Sequence, residues 1–279
     1  MATWQITEPR KLDLDEDLTH LDVTLFGGRL SVVGTDGPAR VEVAAIGTVP
    51  LDVWLTDGRL TLRHADPQTW PGPLAPLWWW LRGLKHLGRV DISVAVPVRT
   101  ATTLRVSSGP VVVSGLRGET TVTCTSGRVT LLGVGGRVRG TVVSGPIEAL
   151  GCVGDLVLDT VSGEITLADS AVSRLRASTV SGALTADLDR QPPDSQISLS
   201  TTSGELTIRI REDSDLTVDL EATHGRITSA FPELSAQGRW GAAAHGVLGG
   251  GTGRLTARAM SGSIALLSRP VDPDFEESA

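Results

Sequence analysis

Short runs in which apolar and polar residues alternate recur along the chain, and a Ser-Gly pair or a near equivalent joins them two by two. Residues 160–169, "TVSGEITLAD", show the unit, and "TSGRVTLLG", "VSGPIEALG", "VSGALTADL", "TSGELTIRI" and "MSGSIALLS" repeat it. With the second residue of each pair as origin, the origins are Gly28, Gly58, Gly109, Gly127, Gly145, Gly163, Gly182, Gly204, Gly225 and Gly262. From Gly109 to Gly163 they are 18 residues apart, and the next three steps are 19, 22 and 21. A period near 20 held over this length marks a repeat architecture. Two residues after the origin stand Leu30, Leu60, Val111, Val129, Ile147, Ile165, Leu184, Leu206, Ile227 and Ile264. Further apolar columns lie four after, five before and seven before, with small residues at Gly140, Ala149, Ala177, Ala186 and Ala257. Thr130, Thr166, Thr185, Thr207 and Thr228 fall between them as a polar column. Apolar spacing by two is the pattern of a half-buried strand, so each repeat predicts two short strands.

Apolar positions before the origin have odd offsets and those after it even ones, so inside and outside exchange at the Ser-Gly pair. That change of phase needs a sharp turn or bulge, where glycine can adopt a positive φ and serine can bond freed backbone groups. A serine nucleophile would need a base at a fixed offset. No histidine or carboxylate recurs in that way, and "GxSxG" is missing. Spacing alone permits two arrangements: antiparallel hairpins closed by the pair, or coils that stack so that each column becomes a ladder of like residues.

The Ser-Gly rows resemble the bacterial putative-adhesin β-strand-repeat family, also called the toastrack family. "GVLGGGTGRLTARAMSGSIALL" is similar to that family's closing Gly-rich hairpin, strand and final Ser-Gly row, and the likeness covers most of residues 18–268. The resemblance implies an all-β, right-handed β-solenoid-like stack of two-strand repeats. It also implies an association with envelope-stress or membrane systems, and no catalytic residues.

The expected organisation is an N-terminal segment over 1–17, a less regular β lobe over 18–100, a repeat stack over 101–268 and a disordered acidic tail over 269–279. The step of 51 residues between Gly58 and Gly109 holds "DPQTWPGPLAPLWWWLRGLKHLGRV". Pro76 can open a short amphipathic helix there and Gly88 can close it. On a helical wheel Leu77, Trp80, Leu81, Leu84 and Leu87 share one face, and Arg82, Lys85, His86 and Arg89 lie opposite. Trp78 and Trp79 flank the stripe, and Trp70 precedes it. Such a helix either packs on the β-core or contacts a partner through residues 66–89. A membrane surface would take tryptophans at headgroup depth and bases on anionic lipid; a protein is the other candidate partner.

Composition narrows the chemistry. The chain of 279 residues is 40% hydrophobic with a net charge of −7, which disfavours nucleic acid as a partner. "MATWQITEPRKLDLDED" lacks a basic start followed by an apolar core, and no run reaches the roughly 20 apolar residues that cross a bilayer. Cys124 and Cys152 have no metal-ligand spacing and read as reduced, buried thiols. These features point to the cytoplasm or to the periphery of the inner face of the membrane. "GGGTG" over 249–253 reads as a turn rather than a phosphate loop. His20, His64, His86, His224 and His245 are scattered, with His224 in a serine's place at one bend, and Asp155, Asp159, Glu164 and Asp169 read as solvated surface. The expectation is a non-catalytic scaffold without cofactor or metal, which presents surfaces and the tryptophan-rich segment. Self-association of stacked coils is the alternative, and an enzyme on a β-helix platform a remote one.

Overall fold

The computed structural model describes residues 2–14, 16–64, 90–237 and 241–270, and every helix or strand among them is a strand. The helix expected within 66–89 and the acidic tail from 271 onward lie outside the described residues. Two compact units divide the chain, Met1–Thr130 and Leu131–Ala279.

The first unit contains β1 (Ala2–Ile6), β2 (Arg10–Leu14), β3 (His20–Leu25), β4 (Gly28–Thr35), β5 (Ala39–Ala45), β6 (Leu51–Thr56), β7 (Arg59–His64), β8 (Val90–Pro97), β9 (Ala101–Ser108), β10 (Val111–Ser114) and β11 (Thr120–Ser126). One sheet runs β1–β6–β7–β3–β9–β11. The other runs β2–β5–β8–β4–β10. Each buries one face, and pairing sets interior positions side by side: Leu21 lies between Leu60 and Thr102, and Val23 between Leu62 and Leu104. β1, β2, β5 and β6 enter by antiparallel pairing, whereas β3, β4 and β7–β11 also pair in parallel, as rows of a coil do. Gly58, which the spacing puts among the row corners, is instead the second residue of a two-residue hairpin between β6 and β7. Asp57 and Gly58 both have positive φ, 49° and 71°, as a type I′ turn requires.

The second unit contains β13 (Gly135–Ser144), β14 (Ile147–Leu150), β15 (Val153–Ser162), β16 (Ile165–Ser181), β17 (Leu184–Leu188), β18 (Gln196–Ser203), β19 (Leu206–Arg211), β20 (Leu216–His224), β21 (Ile227–Ser229), β22 (Ser235–Gln237), β23 (Ala242–Leu248), β24 (Gly253–Ser261) and β25 (Ile264–Arg269); β12 (Val129–Leu132) spans the division. The chain passes from one sheet to the other at each Ser-Gly bend, and successive rows pair in parallel. Coils, not hairpins, therefore resolve the ambiguity that spacing left open for these bends.

Backbone contact explains why the bend is glycine. The Gly182 N–H donates to the Ser203 carbonyl at 3.1 Å, and the Gly163 N–H to the Ser181 carbonyl at 3.0 Å. A Cβ added at Gly182 would lie 2.0 Å from the Gly163 carbonyl oxygen, and one at Gly204 would lie 2.0 Å from that of Gly182. Gly182 has φ +150°, but Gly204 shows no left-handed φ. The requirement common to the column is thus close approach between rows, and the positive φ expected from the sequence is met at only some positions.

A second bend closes each coil. Gly133, Gly151 and Asp169 have φ of 56°, 62° and 47°, six residues after the Ser-Gly origins Gly127, Gly145 and Gly163. Asparagine and aspartate tolerate this conformation better than most side chains. The next residue in each case is interior: Val134, Cys152 and Ser170 are fully buried. That column places Cys152, and Cys124 is buried three residues before Gly127.

The last row departs from chain order. β24 pairs in parallel with β18 on one side and β20 on the other, and β25 likewise lies between β19 and β21. The C-terminal row is thereby wedged between two rows made earlier in the chain. Packing in one column fits this order. In space the column five before the glycine reads Gly140, Leu158, Ala177, Leu199, Ala257, Leu220, alternating small with large. Leu158 Cδ2 stands 3.2 Å from where a Gly140 Cβ would be, so the large side chain leans over its small neighbour. Without the wedged row, Leu199 and Leu220 would be adjacent. Beyond β20 the parallel pairing ends, because β23 is antiparallel to β20 and β22 to β23.

Two measurements test this account. Gly182→Ala drives a methyl into backbone and should cost more than about 3 kcal/mol in urea unfolding, whereas Gly133→Ala, with nothing within 4 Å, should cost only about 1–2 kcal/mol for its left-handed φ. Equal losses would reject the close-approach argument. Ending the chain at Thr252 should remove hydrogen-exchange protection from Leu216–Ala222, residues that the truncation leaves intact. Protection retained there would show that the wedged row does not hold them.

Candidate binding surface

The sequence-selected contact residues Trp70, Leu77, Trp78, Trp79, Trp80, Leu81, Arg82, Leu84, Lys85, Leu87 and Arg89 all lie outside the described residues. Their points of attachment are described. β7 ends at His64 beside β3, and β8 begins at Val90, paired with Gly28 at the start of β4. Residues 65–89 thus join two strands of one row, where neighbouring rows have a short bend. Both attachment points meet the bend of the row alongside: the His64 and Phe26 rings stack at 5.5 Å and 5°, and Val90 lies against Gly28.

His64 is the buried histidine that sequence reasoning passed over as one of a scattered set. It is 2% exposed, and its Nδ1 accepts the Phe26 N–H at 3.0 Å, which requires an unprotonated Nδ1. Burial lowers its pKa from 6.5 to about 4. The remaining described histidines are surface groups: His20 Nδ1 lies 2.9 Å from Thr19 Oγ1, His245 Nδ1 lies 2.6 Å from Asp219 Oδ1, and His224 is exposed in a serine's place at its bend.

Outward columns of the second unit carry its chemistry. The residue before each bend glycine is exposed, and so is the one before that, which makes the bend a convex edge. Along this edge Val143, Val161 and Val180 stand in adjacent rows, 47%, 50% and 50% exposed, followed in space by Thr202, Met260 and Thr223. Four residues back along the strands, Arg139 and Arg176 flank Val157. Arg137 and Arg174 flank Asp155 in the next column, and Arg174 pairs with Asp155 and holds that carboxyl below its usual range. Asp159 accepts a hydrogen bond from Ser178 Oγ, and Asp169 pairs with Arg269. The acids therefore do not converge; each of these three meets a different donor. Among the described residues no three His, Cys, Asp or Glu side chains form a group able to hold a metal ion.

The threonine column is real but interrupted. Thr166, Thr185 and Thr207 are adjacent, and Ala265 of the wedged row separates Thr207 from Thr228. "GGGTG" is a turn, as read. Asp215 holds it, with Oδ1 accepting the Gly250 N–H at 2.5 Å and its carbonyl the Gly253 N–H at 3.0 Å.

These features define an all-β repeat protein whose described interior is mainly aliphatic, with Cys124, Cys152 and His64 buried in it, and whose charged side chains stand on outer faces. The chain belongs to the Toastrack family (Toastrack DUF4097), whose model matches residues 91–267. No curated protein matches the chain at a significant level. A solved "putative adhesin" from Bacteroides fragilis NCTC 9343 is 11% identical, with 95% of this chain and 97% of that one covered and a TM-score of 0.40. A "putative adhesin" from Parabacteroides distasonis ATCC 8503 is 13% identical, with 95% and 97% covered and a TM-score of 0.41. A "putative lipid binding protein" from the same organism is 10% identical, with 94% and 97% covered and a TM-score of 0.41.

The folded pKa of His64 lies below its unfolded value, so acid favours the unfolded chain, which takes up the proton first. Its contribution should be complete above pH 6.5 and decline as pH falls toward 4, by up to about 3 kcal/mol. Urea unfolding between those limits should show this decline in the native chain and a flatter profile in His64→Phe. An unchanged profile would mean that His64 titrates normally in the fold.

Proposed function

We propose that the protein is a non-catalytic β-repeat scaffold that presents its tryptophan-rich, basic segment to an anionic membrane surface. The strands on either side support this reading: β7 ends at His64 and β8 begins at Val90 beside the Phe26–Gly28 bend of the row alongside, so the chain between them replaces a short bend. An insertion at a bend leaves the paired strands and the aliphatic interior undisturbed. Its composition supplies the lipid chemistry: Trp70, Trp78, Trp79 and Trp80 with Arg82, Lys85 and Arg89, and no acid between Pro67 and Val90. Tryptophan favours the interface because its ring is apolar and its N–H is wet, and each base near an anionic surface adds about 1 kcal/mol. Family membership and the outward placement of polar groups support a scaffold rather than an enzyme. A role in membrane-linked or envelope-stress processes is consistent with this chemistry.

Sedimentation with vesicles tests the reading. The chain should pellet with phosphatidylcholine vesicles containing roughly a third phosphatidylglycerol, and the triple change Trp78→Ser, Trp79→Ser, Trp80→Ser should weaken binding about tenfold or more. A native chain that stays in the supernatant would exclude the membrane. Concentration-dependent sedimentation without lipid would favour self-association, and recovery with a protein partner alone would favour protein contact.

A further inference from the structure

We propose that β1 is a self-association edge: two copies of this chain join through it, strand against strand, about a two-fold axis. β1 pairs with β6 on one side, and among the described residues no strand pairs with it on the other. Its outer N–H and C=O groups therefore face away from the sheet as a template for another strand. Those groups set the chemistry of the occupant, because an extended backbone satisfies them in series.

The other sheet ends show what β1 lacks. β2 ends the second sheet of the first unit and carries Arg10, Lys11 and Asp13. Arg10 lies opposite the buried Val43, so a charge stands in an interior column, and Asp13 pairs with Arg40. In the second unit β21 and β22 have three residues each. Inward charge and short length both keep a sheet edge from pairing. β1 has five residues, with neither charge nor proline, and its register against β6 holds without a bulge.

Trp4 points to a second copy as the occupant. It lies opposite Val53, which is fully buried, yet Trp4 itself is only partly covered, because the interior ends at this strand. Opposite residues of an antiparallel pair share a face. The two-fold register that pairs all five residues sets Trp4 against Trp4, Thr3 against Gln5 and Ala2 against Ile6. Interior residues of both copies then stay on one side, and the two indoles cover each other where the interiors end. No like charges meet, since the strand has none. The contact is small and suits a reversible dimer. Two-fold pairing consumes the edge of both copies, so assembly stops at two. Such a dimer stays in solution where an open stack of coils would pellet, and the vesicle test of the tryptophan segment is read independently of it.

Analytical ultracentrifugation without lipid tests the proposal. The dimer fraction of the native chain should rise with protein concentration. Thr3→Lys with Gln5→Lys sets like charges opposite each other twice in this register and should weaken association about tenfold or more. Thr3→Glu with Gln5→Lys sets opposite charges there and should restore the dimer. Both positions are exposed, so urea unfolding at low protein concentration should be nearly unchanged in either variant. Trp4→Cys should give disulfide-linked dimers on mild oxidation, and Cys124 and Cys152 are too buried to form them. A native chain that stays monomeric overturns the proposal, as does a dimer that persists in the lysine variant or that the charge swap fails to restore. Hydrogen-exchange protection of Ala2–Ile6 that rises only with another protein present would give the edge to that protein and overturn it too.

Discussion

Backbone-to-backbone contact at the Ser-Gly bend is the constraint on which the stack rests. Within a row the chain must leave one sheet and enter the other, and between rows each bend must sit directly against the next. Gly163 and Gly182 show the consequence: the carbonyl oxygen of one occupies the place where the other's Cβ would be. The N–H and C=O groups exposed by the turn are then paired between rows, as with Gly163 and Ser181. Any other residue would force the rows apart and leave those groups unsatisfied. The serine itself is exposed, so its recurrence follows the edge along which the bends align.

Once the rows are held at this spacing, the interior columns must fill it. The column two after the origin fills it with aliphatic side chains in every row, whereas the column five before alternates large with small. Gly140 beside Leu158 and Ala177 between Leu158 and Leu199 show that alternation. The wedged C-terminal row continues it by setting Ala257 between Leu199 and Leu220. The same topology limits growth of the stack. Beyond β20 the antiparallel strands β23 and β22 break the register that another parallel row would need, and β22 is short, as protected edges are.

Function is then left to the positions that the scaffold does not use. Interior columns are committed to aliphatic side chains, while outward columns can vary without disturbing either sheet. Asp155, Asp159 and Asp169 are distributed over that surface and engaged with separate partners. A bend is where side chains or extra chain can be added without interrupting a strand, which is the basis of the proposal made for the segment between β7 and β8.

The repeat, its two-strand unit, the buried columns and the glycine bends were legible in the sequence because each depends on local alternation and near-constant spacing. The second bend was also present in it, in Gly133, Gly151 and Asp169 six residues after each origin, but aspartate in glycine's place conceals the column. Gly58 shows the limit of spacing: a Gly at the right interval closes a hairpin because Asp57 beside it also takes positive φ. The burial of His64 and the grouping of Arg139 with Arg176 depend on neighbours far apart in the chain. Local sequence thus determined which residues face inward and where the chain bends. Tertiary structure alone decided which rows adjoin, because hydrogen bonding between parallel strands is much the same for every row. The wedging of β24 and β25, which sets Ala257 between Leu199 and Leu220, joins residues whose local spacing does not encode that they are neighbours.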